Sequence, residues 1–151
     1  MHWQIVAGTV AIVVHTDEAP SDEEWDAYLE ELVQSAGDIN GLLVYSDKVG
    51  PSAPQRARSN EAFARAGKDI KTAIMTGSRV VRGIITAMNW ALDGRVKPFT
   101  TLEFEGAMTY LGLDGEQQIR TRVALRQLAR AAGTEIEAFA DESGRFRKKF
   151  Q

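Results

Sequence analysis

A chain of 151 residues that is 44% hydrophobic and 26% charged can bury most of the surface its unfolded form exposes, which excludes the disordered and fibrous classes. Its formal charge of −3 and pI near 5.4 argue against a general nucleic-acid or anionic-membrane binder, because such proteins present a net basic face. Without a single cysteine, disulfides, thiolate catalysis and cysteine-based zinc sites are excluded, and a reducing cytoplasm fits.

Residues 3–15 are dominated by Val and Ile and interrupted at Ala7-Gly8, predicting two strands with Gly8 as the hinge between them. The apolar run 5–14 has no basic lead-in and is broken by Gly8 and Thr9, and no other stretch approaches the roughly 20 apolar residues of a membrane span. Neither a leader nor a span is expected. Pro20 then precedes Ser21-Asp22-Glu23-Glu24, where the Ser21 hydroxyl and the Glu24 carboxylate form a capping box. Trp25, Tyr28, Leu29, Leu32 and Val33 follow at helical spacing, so an amphipathic helix with acids outward is expected, stopped at Gly37. Gly41 closes the connection to Leu42-Leu43-Val44-Tyr45, a continuous apolar run of the kind found in a central strand covered on both faces.

The loop 46–54 is the longest polar break. It feeds an Arg/Ala-rich helix over 55–66 whose one large apolar residue is Phe63, predicting a helix mostly in solvent. Residues 70–75 form the next buried strand. The helix over 79–92 is apolar on two faces, with Val80, Ile84, Ala87 and Ala91 along one and Val81, Ile85, Met88 and Leu92 along the other; a single sheet covers only one of them. Residues 96–99 are read as an edge strand, since Pro98 cannot donate to a ladder. Thr100 and Glu103 suggest a second capping box, opening a helix with Phe104, Ala107, Met108 and Leu111 inward. Gly112 and Leu113 supply a helix stop, and Asp114 caps a final helix to about residue 132 with Ile119, Val123 and Leu128 inward. Past Gly133 the composition turns acidic (Glu135, Glu137, Asp141, Glu142) and then basic-aromatic (Arg145-Phe146-Arg147-Lys148-Lys149-Phe150). A boundary is placed there, separating a domain over 1–133 from a tail over 134–151.

This order of elements predicts a single-domain α/β sandwich with a mixed sheet of about five strands and four or five helices. The opening Pro20-Ser21-Asp22-Glu23-Glu24-Trp25-Asp26-Ala27-Tyr28-Leu29, the loop Gly50-Pro51-Ser52-Ala53-Pro54-Gln55-Arg56, the run Val80-Val81-Arg82-Gly83-Ile84-Ile85-Thr86-Ala87 and Tyr110-Leu111-Gly112-Leu113 resemble the short STAS-type, SpoIIAA-like proteins of bacteria over roughly residues 3–132. The resemblance implies a regulatory, protein-interacting domain. Anti-sigma-factor antagonists of that class carry a phosphorylated serine at the start of the helix after the central strand, in an Asp-Ser-Ser/Thr-Gly type motif. The corresponding region here is Tyr45-Ser46-Asp47-Lys48 followed by Ser52, without that motif. Other relatives resemble lipid-binding CRAL-TRIO domains.

Ser46, Asp47 and Ser52 are therefore the candidates for partner binding or phosphorylation, against the plainer reading of the serines as helix caps or turn formers. Ser78, Arg79 and Arg82 form a second candidate, an anion site at a helix start, lacking the second glycine and the lysine of a P-loop. His2 and His15 are the sole imidazoles and no third ligand falls at a metal-binding spacing, so no metal, cofactor or catalytic residue is assigned. Trp25 and Trp90 are read as core or interface aromatics. The expected function is a non-enzymatic interaction module with a protein partner, self-pairing through the helix 79–92 as a homodimer. A small-molecule or lipid carrier is the alternative, and an enzyme the remaining one. The basic-aromatic tail suits an acidic partner or nucleic acid as well as packing on its own domain. The acidic whole favours the last, with no nucleic-acid binding.

Overall fold

The structure is a computed structural model and describes residues 1–46, 50–67, 69–89 and 94–140, the side chains of 87–89 excepted. Strand β1 (His2–Val6) folds back on β2 (Val10–Val14) in an antiparallel hairpin, and Gly8 at its tip has φ +66°, left-handed backbone that glycine adopts without strain. There follow α1 (Asp22–Ser35), β3 (Gly41–Tyr45), α2 (Ala53–Ala66), β4 (Lys71–Met75), α3 (Arg79–Asn89), β5 (Val96–Phe99), α4 (Phe104–Tyr110) and α5 (Gly115–Ala131). Strands β2 to β5 run parallel in the order β1-β2-β3-β4-β5. The chain is thus an α/β sandwich on a mixed five-stranded sheet, with β5 at an edge as its proline required.

Two cores lie on the two faces of this sheet, because successive strand residues point to opposite sides. Val10, Ile12, Val14, Leu43, Tyr45, Ala73, Met75 and Phe99 face α4 and α5, while Ala11, Val13 and Leu42 face Trp25, Tyr28, Leu29 and Leu32 of α1 and Ala62 of α2. The right-handed sense of parallel crossovers places α3 on the α1 and α2 side, over the edge of the sheet. At the start of β3, a Cβ on Gly41 would sit 2.6 Å from the Lys71 carbonyl oxygen and 2.8 Å from Leu111 Cδ2. The glycine is there because β4 and α4 crowd it.

Several local expectations hold in detail. Gly112 has φ +70° and the Leu113 amide donates to the Met108 carbonyl, the long-range bond of a Schellman stop. Asp114 caps α5 in a full capping box with Gln117. Others are corrected. In α5 the buried residues are Thr121, Ala124, Leu125, Leu128 and Ala129, whereas Ile119 and Val123 are exposed. The face turned to Val10, Ile12 and Val14 of the sheet is built from Leu125 and Leu128 with the smaller Thr121, Ala124 and Ala129 between them.

Thr100 and Glu103 do not cap α4. The Glu103 carboxylate accepts from the Thr100 amide at 2.7 Å, but the Glu103 amide closes a turn on the Thr100 carbonyl and the helix starts only at Phe104. Gly37 does not end α1 in a left-handed cap; it lies inside a 3₁₀ turn, Ala36–Asp38. Half of the Ser21 box is present, the Glu24 carboxylate pairing instead with the Met1 amino group at 3.3 Å. The core also runs past Gly133. Ile136 and Phe139 are buried in it, the Tyr45 hydroxyl donates to the Glu135 carbonyl and the Thr101 hydroxyl to the Glu137 carboxylate. Two apolar residues three and six positions past Gly133, interleaved with Glu135 and Glu137, are easily overlooked by composition.

On α3, Val80 is 72% and Ile84 53% exposed, Val81 is exposed and Ile85 half-buried. The other positions expected along its two faces, with Trp90, lie outside the described side chains.

Candidate recognition site at the carboxyl edge of the sheet

The parallel ladders continue one residue beyond the strands. The His15 amide donates to the Tyr45 carbonyl at 2.9 Å, the Ser46 amide to that of Met75 at 3.0 Å, and the Thr76 amide to that of Phe99 at 3.0 Å. His15, Ser46, Thr76 and Thr100 therefore stand in a row across the edge, and strand alternation puts them on the same side of the sheet as Val13 and Val44, the side that carries α1 and α2. Apolar strands end in four polar residues together. The helices that follow β2, β3 and β4 all begin at this edge.

Each start is closed by a serine. Ser21 Oγ accepts from the Glu24 amide at 3.1 Å. Ser52 Oγ accepts from the Gln55 amide at 3.2 Å while Gln55 Oε1 accepts from the Ser52 amide at 2.9 Å, a complete capping box that the sequence spells as Ser-x-x-Gln and that the reading of residues 55–66 passed over. Ser78 Oγ accepts from the Val81 amide at 3.2 Å, and the Ser78 amide donates to Thr76 Oγ1 at 3.2 Å. Ser52 and Ser78 are thus helix caps. Ser46 is half-buried at the end of β3, and Asp47 lies outside the described residues. Of the second candidate group, Arg82 turns back to donate to the Thr76 carbonyl at 2.7 Å and Arg79 is exposed. The structure brings Ser78 and Arg82 to one turn around Thr76, and leaves Arg79 apart.

Beneath the row sits a cluster that the sequence did not single out. The His15 imidazole stacks on Trp25 with ring centroids 6.2 Å apart and is 6% exposed, and its Nδ1 has no hydrogen-bond partner among the described residues. Burial first, and the charged amino terminus second, push its pKa down to about 4, so the ring is neutral near pH 7. Trp25 Nε1 donates to the Gln55 carbonyl at 2.9 Å, and Gln55 Nε2 donates to the Pro20 carbonyl at 2.9 Å and to Asp22 at 3.1 Å. Arg58 also reaches Asp22, at 3.0 Å, and its hydrogen bond, followed by that of Gln55, holds the Asp22 carboxyl below the usual carboxylate range. Through Gln55 the starts of α1 and α2 are fastened into one unit. The sequence signal was a glutamine three residues after a capping serine; that it is buried follows only from the tertiary fold.

Chemically, the edge offers hydroxyls, helix N-termini occupied by their own caps, and one uncharged imidazole. Among the described residues no serine hydroxyl is hydrogen-bonded to His15, no group of three His, Asp or Glu side chains could hold a metal ion, and no helix is long and apolar enough to cross a membrane. In comparisons with known proteins, the chain matches no family model, no curated protein and no solved structure.

Proposed function

We propose that the protein is a non-enzymatic regulatory module of the STAS, SpoIIAA-like type, working in a bacterial cytoplasm and recognising a protein partner through the carboxyl edge of its sheet. The observation that carries this reading is the convergence there of the polar row His15, Ser46, Thr76 and Thr100 with the starts of three helices, capped by Ser21, Ser52 and Ser78. In open parallel sheets this end, where loops leave a rigid frame, is the usual place for recognition groups. The loop after β3, with Ser46, Asp47 and Ser52, is the centre of the surface. Self-pairing through α3 belongs to the same proposal, supported by the exposure of Val80 and Ile84.

The test is the full chain carrying Ser46→Asp and Ser52→Asp, used as bait beside the wild type in the host's extract. Aspartate caps a helix as well as serine does, so the melting temperature stays close to that of the wild type while the set of captured proteins changes. A double variant that keeps its melting temperature and captures the same proteins reduces the loop to a connector. The carrier reading rests on a 330 Å³ groove at the opposite end, lined by Phe63, Ile70, Thr72 and Val96, near the lower size limit of ligand pockets. Apolar ligands that raise the melting temperature and shift the NMR signals of that groove would favour it.

A further inference from the structure

The groove between the last turns of α2 and the starts of β4 and β5 holds a polar group that the fold does not use. Its volume is about 330 Å³, and Phe63, Ile70 and Val96 are among its walls. Thr72, on β4 between Leu42 and Val96 of the neighbouring strands, belongs to the lining and is 6% exposed. The other buried threonines all place their hydroxyls in hydrogen bonds. Thr9 donates to the Ala7 carbonyl, Thr121 to that of Gln117 and Thr101 to the Glu137 carboxylate, while Thr76 accepts from the Ser78 amide. Among the described residues the Thr72 hydroxyl has no partner.

A buried hydroxyl left unbonded costs its desolvation, and valine would fill the same space in a strand without that cost. The hydroxyl is therefore of no use to the sheet, and it is satisfied once a molecule in the groove supplies its partner. The charge of that molecule follows from the rim, where Arg95 donates to Asp69 at 2.9 Å. These two ions neutralise each other, so an ion seated on the floor would meet only a hydroxyl. We propose that the groove binds a small uncharged molecule with an apolar body and one hydroxyl, a phenol or a short alcohol, its body against Phe63, Ile70 and Val96 and its hydroxyl bonded to Thr72 Oγ1. The inference rests on the carrier reading and adds to it the class of ligand. Occupancy at this end leaves the carboxyl edge of the sheet open to a protein partner.

The test titrates the full chain with para-ethylphenol, ethylbenzene and para-ethylbenzoate, following the NMR signals of the Phe63, Ile70 and Val96 amides. The phenol is expected to shift them with a dissociation constant about tenfold below that of ethylbenzene, and the benzoate to leave them in place. Thr72→Val removes only the hydroxyl. It should melt no lower than the wild type and bind the phenol no better than ethylbenzene, while Thr72→Ser keeps the preference. Equal constants for the two neutral molecules, a preference that survives in Thr72→Val, or tighter binding of the benzoate overturns the proposal and leaves the groove a carrier site of another kind. A clear fall in the melting temperature of Thr72→Val assigns the hydroxyl to the fold and overturns it too. Signals unmoved by either neutral molecule at millimolar concentration remove the carrier reading along with it.

Discussion

Helices α1 and α3 hold equivalent places in the fold, each linking two neighbouring parallel strands, yet the more polar of the two is the better buried. Six of the fourteen residues of α1 are acids, but Trp25, Tyr28, Leu29 and Leu32 are all inside. Helix α3 carries no acid in its first turn and a long apolar sequence, RVVRGIITAMN, while Val80 and Ile84 face outward. The difference is what lies underneath. Residues from β1, β2 and β3 pack beneath α1, whose start is fastened to α2 through Gln55, whereas α3 packs mainly on the edge strand β5. Burial follows the position of a helix over the sheet, not its hydrophobicity.

The largest effects test this contrast in stability. Leu32→Ala removes a fully buried side chain and is expected to cost about 3 kcal/mol in urea unfolding, by lost transfer energy and the cavity left behind. A loss below about 1 kcal/mol would mean that α1 repacks around the gap and is not firmly anchored.

Acid probes the same region at nearly the same scale. His15 under α1 titrates near 6.5 in the unfolded chain and at about 4 in the folded one. The unfolded state therefore takes the proton first. Stability from this group is complete above about pH 6.5 and falls as pH drops toward about 4, by about 3 kcal/mol. His15→Gln is expected to flatten that part of the curve, seen as a smaller difference in unfolding free energy between about pH 7 and about pH 4. Identical pH dependence in the variant and the wild type would show that the carboxylates, not His15, set the acid limb.

These two residues also mark what was legible in the sequence. Leu32 belongs to a stripe at helical spacing, and the strands and the Gly112-Leu113 stop were equally plain because each is encoded within a few neighbouring residues. The burial of His15 was not, since it depends on Trp25 ten residues later and on the start of α2. In α5, Ile119 and Val123 are apolar but exposed, and the buried face is Thr121, Ala124, Leu125, Leu128 and Ala129; a helix with apolar residues on both sides does not announce by spacing alone which side meets the sheet. The row His15, Ser46, Thr76 and Thr100 is a product of strand register, which a single chain read in order does not disclose. Ser46 and Ser52 were legible as residues at turns, their shared edge only as a consequence of the fold.

A smaller effect sharpens the comparison. Ser21→Ala and Ser78→Ala each delete a side-chain acceptor at a helix start, worth about 1 kcal/mol locally. In α1 the loss should appear in global unfolding, because the helix opens only with the core. In α3 it should appear mainly as faster amide exchange within the helix, with little change in the global midpoint. Equal shifts of the midpoint would show that α3 is as firmly tied as α1.

The smallest expected change in stability belongs to Ile84→Ser, and it separates the two explanations for the exposed face of α3. If the face is simply solvated, the variant unfolds within about 0.5 kcal/mol of the wild type and the molar mass of both stays that of a monomer. If the face pairs with a second copy, the dilute monomer is again unaffected, but light scattering at concentrations on the order of tens of micromolar gives a dimer for the wild type and a monomer for the variant. The dimer is the expected result, because Val80, Val81 and Ile84 form one apolar patch across the first turns of the helix and contiguous patches of this kind usually meet a partner. A monomeric wild type at those concentrations removes self-pairing. It would leave the comparison with α1 intact, since the exposure of α3 arises from its place above the edge of the sheet whatever comes to cover it.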